Sequence, residues 1–205
     1  SKLILTFQGE RVEDSVRKAA AELGDAAVFP CDVTSDESLR ALAAGVGKID
    51  GLVHSIAFVK KEDLGGKVYD TSRDGFAVAL DVSSYSLIAL VSNLKDNLND
   101  GASVMALTYL GATQIVPNYN LAGIAKAALE SIVRYLAYDL GERGIRVNAI
   151  SAGPISTASS RQVSGFSAMP AKVAAASPLK RTISADDVGN CAVYLASDLS
   201  GQVTA

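Results

Sequence analysis

Tyr119 and Lys126 stand seven residues apart in NYNLAGIAKAALE, residues 118–130, a stretch whose alanines and leucines favour helix. At about 100° per residue, seven residues return the chain to within about 20° of its starting direction, about 10.5 Å further along the axis. A phenol and a flexible ammonium so placed could line one groove, a neutral hydrogen-bond donor beside a cation. Taken alone, the pair equally describes a tyrosine at a helix entrance and a lysine on a solvated face, and that plainer reading leads until the rest of the chain is weighed. Other chemistries fall away first. His54 is the only histidine, which argues against a histidine-based zinc site. Cys31 and Cys191 have no metal spacing and read as small core thiols in a reducing compartment. No metal is expected.

The elements that must position the pair come from composition and periodicity. The 205 residues are 49% hydrophobic, enough for a single domain with one core. The net charge is 19 − 22 = −3, which gives no basic footprint for nucleic acid. No apolar run reaches membrane-spanning length and no signal-peptide pattern opens the sequence, so no membrane association and a cytoplasmic location are expected. Strand-like runs at 3–7, 26–29, 51–56, 103–108 and 146–151 alternate with helical runs at 12–23, 35–46, 73–98, 119–140 and 184–196, the 73–98 helix bending around Ser83-Ser84, and 201–205 begins a last strand. Ser35 followed by Asp36 and Glu37 marks one helix start. The strands are rich in Val, Ile, Leu and Ala without alternation, which predicts burial on both faces and a doubly wound parallel sheet, a Rossmann-like α/β fold.

In such a sheet a ligand lies beyond the carboxyl ends of the strands. Those ends read Gln8-Gly9, Asp32-Val33, Ser55-Ile56-Ala57, Thr108-Tyr109 and Ser151-Ala152-Gly153-Pro154-Ile155. Each alone is ordinary loop chemistry. Together on one rim, the small residues let a flat cofactor approach the backbone, Asp32 can accept from an adenine amino group, and the Tyr119 helix adds its pair to the same rim.

The motifs CDV (31–33), HSIAF (54–58), SSYS (83–86), TYLG (108–111), PNYN followed at residue 126 by Lys, RVNAISAGPI (146–155) and DVGN (187–190) resemble, in order and through nearly the whole chain, the bacterial enoyl-acyl-carrier-protein reductases, a branch of the short-chain dehydrogenase/reductase superfamily. The superfamily commonly spaces Tyr and Lys as Y-x3-K, where this chain has Ala122; the longer Y-x6-K gap is a mark of the branch. The resemblance implies hydride transfer from NADH to the β-carbon of an enoyl thioester, with NADPH the alternative donor. It implies that Tyr119 bonds the thioester oxygen, that Lys126 holds the nicotinamide ribose and favours the enolate, and that Tyr109 shapes the pocket. Gln8, Asp32, Val33, Ser55, Ala57 and Ile155 would line the cofactor. Val163, Phe166 and Met169, with Ala57, would meet the substrate within a loop and helix at about 156–176, where the small polar run 156–165 suits a mobile lid. Neutral Gln8 at the end of the first strand offers a phosphate no charge and favours NADH, with Arg11 the residue to implicate if NADPH is preferred.

The resemblance also implies partners. Ala122, Gly123, Ala125, Ala127 and Ala128 allow close helix approach, and the family pairs this helix across a dimer of a homotetramer. From Ile155 to Ile183 there is no acidic residue, yet Arg161, Lys172, Lys180 and Arg181 are present, a basic region suited to acyl carrier protein. The sequence departs from the family at its ends: it opens on the family's second strand, without the first strand and glycine loop, and stops inside the last. Connections near Gly45-Val46-Gly47 and Ser200-Gly201 are short. The expectation is an ordered part of a longer protein. Two rivals stand beside this reading: another short-chain dehydrogenase acting on an alcohol or ketone, and a non-catalytic nucleotide sensor on the same fold.

Overall fold

The computed structural model describes residues 2–157, 160–163 and 165–205. β1 (Ile4–Phe7) pairs in parallel with β2 (Ala27–Pro30), Ile4 opposite Ala27. β3 (Ile49–His54), β4 (Leu98–Thr108) and β5 (Arg146–Ser151) form a second parallel sheet in that order. The helices are α1 (Glu10–Glu22), α2 (Asp36–Val46), α3 (Lys61–Leu64), α4 (Arg73–Leu80), α5 (Ser86–Leu94), α6 (Asn120–Leu140), α7 (Met169–Ala176) and α8 (Ala185–Ala196). The parallel α/β architecture is therefore as expected, and among the described residues no strand joins β1 to β3, so the strands fall into two sheets, as the expected lack of the family's first strand implies. Burial on both faces holds for β4 and β5 and fails at β1, β2 and β3, where Thr6, Ala27 and Val53 are exposed, Val53 to 52%.

Helix starts follow their caps. Ser35 Oγ accepts from the Ser38 N–H at 3.2 Å, Ser72 Oγ from the Gly75 N–H at 2.9 Å, and Ser184 forms a capping box with Asp187. Each removes an orphan amide at a helix start, a contribution of about 1 kcal/mol. The expected 73–98 helix ends at Leu94 instead, since Asn97 turns the chain and donates its side-chain amide to the carbonyls of Ala43 and Gly47 at 2.9 and 2.7 Å. β4 then starts at Leu98, five residues earlier than read from sequence. The expected bend is a π turn at Asp81–Tyr85. The continuous helix Arg73–Leu94 has 22 residues and contains an 18-residue window of mean hydropathy 1.6, long and apolar enough to span a membrane by length and composition, contrary to expectation; half of that window is buried inside the fold, as a core helix would be. No last strand forms at 201–205: Thr204 Oγ1 takes the Val147 N–H at 3.1 Å, where a strand carbonyl would have done so.

Alternation along β4 explains the layers. Val104 and Ala106 face α5 and α6, packing with Leu87, Val91, Leu129 and Val133. Met105 turns the other way and packs with Ile150 and Leu195 of α8. Helices thus cover both faces of β4, which sits at the centre of the site. Each of these buried Leu and Val side chains contributes on the order of 1.5–3 kcal/mol. α6 buries Leu121, Ala122, Gly123, Ala125, Leu129 and Val133, so its small residues serve the core first; Ala127 alone of the five is exposed. Cys31 is in the core as expected, but Cys191 is exposed, because it lies at the margin of the Val188, Ala192 and Leu195 stripe by which α8 packs on the sheet.

Candidate active site

A cavity of about 490 Å³ opens beyond the carboxyl ends of β3, β4 and β5. Ser55 and Ala57 reach it from the segment after β3, Thr108 and Tyr109 from the end of β4, and Ile155 from the segment after β5. Tyr119, Ala122 and Lys126 enter from α6, and Val163, Phe166 and Met169 close the far wall. Nine of the predicted residues are therefore assembled around one space. Ala158, Ser159 and Ser164, part of the expected lid, lie outside the described residues.

Tyr119 occupies the cap position before α6. Its ring meets Tyr109 edge-on, centroids 5.0 Å apart and planes at 69°, a favourable quadrupolar arrangement. The ring also lies over Gly111: a Cβ there would stand 2.4 Å from Tyr119 Cδ1. A Cβ at Gly123 would stand 2.7 Å from the Gly111 carbonyl oxygen, so α6 and the turn after β4 approach at backbone distance. Burial first, and Tyr109 second, push the Tyr119 phenol up to about 12. It is a proton-bearing hydrogen-bond donor throughout the neutral range. Burial also raises the Tyr109 phenol, whose hydroxyl donates to Met169 Sδ at 3.3 Å.

Lys126 is 7% exposed, which overturns the plainer reading of a solvated lysine. Its Nζ donates to the Leu107 carbonyl at 2.6 Å. Burial brings the ammonium down to about 8, with the Glu130 carboxylate acting in the opposite direction. At neutral pH the cation persists. Glu130 in turn accepts from Thr108 Oγ1 at 2.7 Å.

The π turn supplies supports that sequence reading did not identify. It places two successive serines so that Ser83 Oγ accepts from the Phe58 N–H at 2.9 Å and donates to the Phe58 carbonyl at 3.0 Å. Ser84 Oγ donates to the Ala125 carbonyl at 2.7 Å, next to Lys126. One insertion thus fixes two walls of the cavity, consistent with the frequency of π turns at functional sites. His54 lies behind the site, fully buried, its Nε2 2.7 Å from Ser86 Oγ. Ser86 donates its own proton to the Val82 carbonyl, so Nε2 is the donor to Ser86. Burial, then the Lys126 charge, brings the imidazole down to about 4, and it is neutral near pH 7.

Gln8, Asp32 and Val33 lie apart from the cavity, at the ends of β1 and β2. Asp32 Oδ1 accepts from the Thr34 N–H at 2.9 Å and the Thr34 hydroxyl at 2.7 Å. Those bonds, led by the backbone one and joined by the Gln8 side chain, hold the carboxyl below its usual range. Gln8 and Asp32 therefore do meet. The Val33 side chain packs in the core with Leu39 and Leu42. Among the described residues, no cluster of three His, Cys, Asp or Glu side chains could hold a metal ion.

Parallel strands, helices on both faces and a Tyr–Lys pair from one helix at the strand ends define a Rossmann-like oxidoreductase of the short-chain dehydrogenase/reductase class. The family described as "Enoyl-(Acyl carrier protein) reductase" matches residues 1–205, and the chain belongs to that family. It is 47% identical over its whole length to the NADH-named enoyl-(acyl-carrier-protein) reductase of Bacillus cereus, covering 82% of that protein. It is 45% identical over its whole length to the NADPH-named enzyme of Staphylococcus aureus, again covering 82%. The crystal structure of the Bacillus cereus reductase with NADP+ and indole naphthyridinone superposes with a TM-score of 0.96 at 47% identity, over 99% of this chain and 81% of that one. The NADH-named reductase of Aquifex aeolicus gives 0.94 at 42%, over 99% and 81%.

Proposed function

We propose that this enzyme reduces the C=C bond of a trans-2-enoyl thioester delivered by acyl carrier protein in fatty acid elongation, using NADH. Family membership supports the reaction class. The observation that carries the residue roles is the convergence of Tyr119, Tyr109 and a buried Lys126 on one cavity at the strand ends. The residues present fit the two ends of a dinucleotide: small, exposed Ser55 and Ala57 beside the Lys126 ammonium at one end, and the paired Gln8 and ionised Asp32 at the other.

When bound, the reduced nicotinamide supplies a hydride to the substrate β-carbon. Tyr119 then has one task, to donate its hydroxyl to the thioester oxygen as that oxygen gains enolate charge. A donor aimed at developing charge stabilises the transition state more than the ground state. Its phenol, held near 12, keeps the proton available for that bond. Lys126 holds the ribose hydroxyls and adds positive charge on the same side. Tyr109 closes the pocket around the thioester, and Val163, Phe166 and Met169 take the acyl chain. The α-carbon then takes a proton from solvent as the enolate collapses to the thioester, so hydride and proton together account for the two hydrogens added.

Cofactor choice rests on Gln8, which is exposed, neutral and turned to Asp32. The basic residues Arg161, Lys172, Lys180 and Arg181, all exposed, form the surface for acyl carrier protein. Exposed Tyr135 (72%) and Tyr138 (85%) on the outer face of α6 are the contacts of a homotetramer, and a cytoplasmic location belongs to the same reading. Steady-state kinetics of wild type and Tyr119→Phe with NADH and with NADPH test the core of it. The variant should lose roughly 100-fold or more in kcat, as for loss of one oxyanion donor, with NADH affinity nearly unchanged. Full activity in Tyr119→Phe would refute its role, and a clear preference for NADPH would refute the cofactor assignment and implicate Arg11.

A further inference from the structure

Two hydrogen bonds join α6 to consecutive residues at the end of β4. Lys126 Nζ donates to the Leu107 carbonyl at 2.6 Å, and the Thr108 hydroxyl donates to Glu130 Oε1 at 2.7 Å. The next residue is Tyr109. Lys126 and Glu130 are four apart, so they sit one above the other on the face of α6 turned to the sheet. Lys126 and Thr108 line the cavity, whereas Glu130 lies one turn behind it, half-buried.

We propose that Glu130 is a positioning residue of the reductase site: it anchors Thr108, and through it Tyr109, while its charge offsets the burial of the Lys126 ammonium. This rests on the reading that Lys126 holds the cofactor. The groups around Lys126 make Glu130 the source of that compensation. His54, packed from β3, is neutral, with its imidazole at about 4. Tyr109 and Tyr119, which share the cavity, keep their protons because burial raises both phenols. Among the described residues, the carboxylate acting on Lys126 is that of Glu130, and it acts upward against desolvation. Without it, the ammonium would be lost at a pH lower than its present value of about 8. A buried lysine near that value is poised so that one neighbouring charge decides its state at physiological pH.

The test is NADH affinity, read by cofactor fluorescence from neutral to alkaline pH, with kcat measured alongside. Wild type should lose affinity on the alkaline side as Lys126 deprotonates. Glu130→Gln keeps the shape and an oxygen for Thr108 but removes the charge, so its midpoint should fall by about 1 pH unit. Thr108→Val keeps the charge and removes the anchor; its midpoint should stay in place while kcat falls several-fold through Tyr109. A Glu130→Gln midpoint that matches wild type would overturn the inference, as would a Thr108→Val midpoint displaced as far as that of Glu130→Gln. Lys126→Ala separates the two levels. If its alkaline limb disappears, the Lys126 reading stands and the Glu130 result alone decides the inference. A wild-type limb persisting in Lys126→Ala would sink the reading and the inference with it.

Discussion

Gly111→Ala should disable the site without touching any residue that contacts the cofactor. The added Cβ would lie 2.4 Å from Tyr119 Cδ1 and 2.8 Å from Cε1, against ordinary carbon contacts of about 3.5–4.0 Å. The ring must therefore retreat by about 1 Å or more. It has little room, since it also meets Tyr109 at 5.0 Å between centroids and its backbone caps a helix whose next turn is buried. Overpacking of this kind costs about 1–3 kcal/mol, which for a chain of this size lowers Tm by roughly 2–4 °C per kcal/mol. The larger effect is on rate, because a displacement of about 1 Å of a positioned group costs on the order of 100-fold. The assay is turnover of a small crotonyl thioester, with NADH affinity measured in parallel. We expect kcat to fall by about 100-fold while NADH affinity stays near wild type, because Lys126 and its Leu107 bond lie a full two turns further along α6. A kcat within about twofold of wild type would show that the phenol's placement is not what this packing implies, and the Tyr119 role would fail with it. The backbone conformation of Gly111 needs no glycine, so no strain unrelated to the ring confuses the result.

Two further outcomes concern partners. Turnover of an acyl-carrier-protein substrate should weaken as salt rises, since exposed charges are screened over roughly 8–10 Å, while a small uncharged thioester should respond much less. Lys172→Glu with Arg181→Glu should reproduce that divergence at low salt, with the smaller share from Arg181, which already faces Asp187; equal salt sensitivity of both substrates would return these residues to a solvated face. In light scattering at micromolar protein the enzyme should run as a tetramer, and Tyr135→Glu with Tyr138→Glu should shift it to smaller species. A monomeric wild type would refute the assembly.

Much of the site was legible because strand ends in a parallel sheet gather residues that are remote in sequence. Knowing that rule, Ser55, Ala57, Thr108, Tyr109 and Ile155 could be assigned to one rim from the order of elements alone, and the cavity joins all five. The Tyr119–Lys126 spacing was legible for a simpler reason, helical periodicity. What it could not give was burial: a lysine on an alanine-rich helix reads as solvated, and only the packing of α6 against β4 puts Lys126 at 7% exposure. For Val33 the direction of the side chain was what the motif could not give: an apolar residue beside Leu39 and Leu42 is drawn into the core by the same hydrophobic gain that builds the rest of it. The boundaries that shifted, at Leu94 and Leu98, turned on Asn97, whose side chain takes carbonyls more than 45 residues away in sequence; no local pattern carries that.

The supports behind the reacting groups were illegible for a deeper reason. Ser83, Ser84, Thr108 and Glu130 act through hydrogen bonds to partners chosen by tertiary contact, and each has an ordinary local identity as a helix serine, a strand threonine or a helix glutamate. The π turn makes this plain. Adding one residue to the turn rotates everything after it relative to everything before, so two neighbouring serines reach different elements: Phe58 after β3 and Ala125 on α6. The rigidity of the site thus comes from an irregularity. Its two fixed walls, with the Thr108–Glu130 bond behind them, hold the Lys126 cation and the Tyr119 phenol in one cavity although seven residues separate them in sequence.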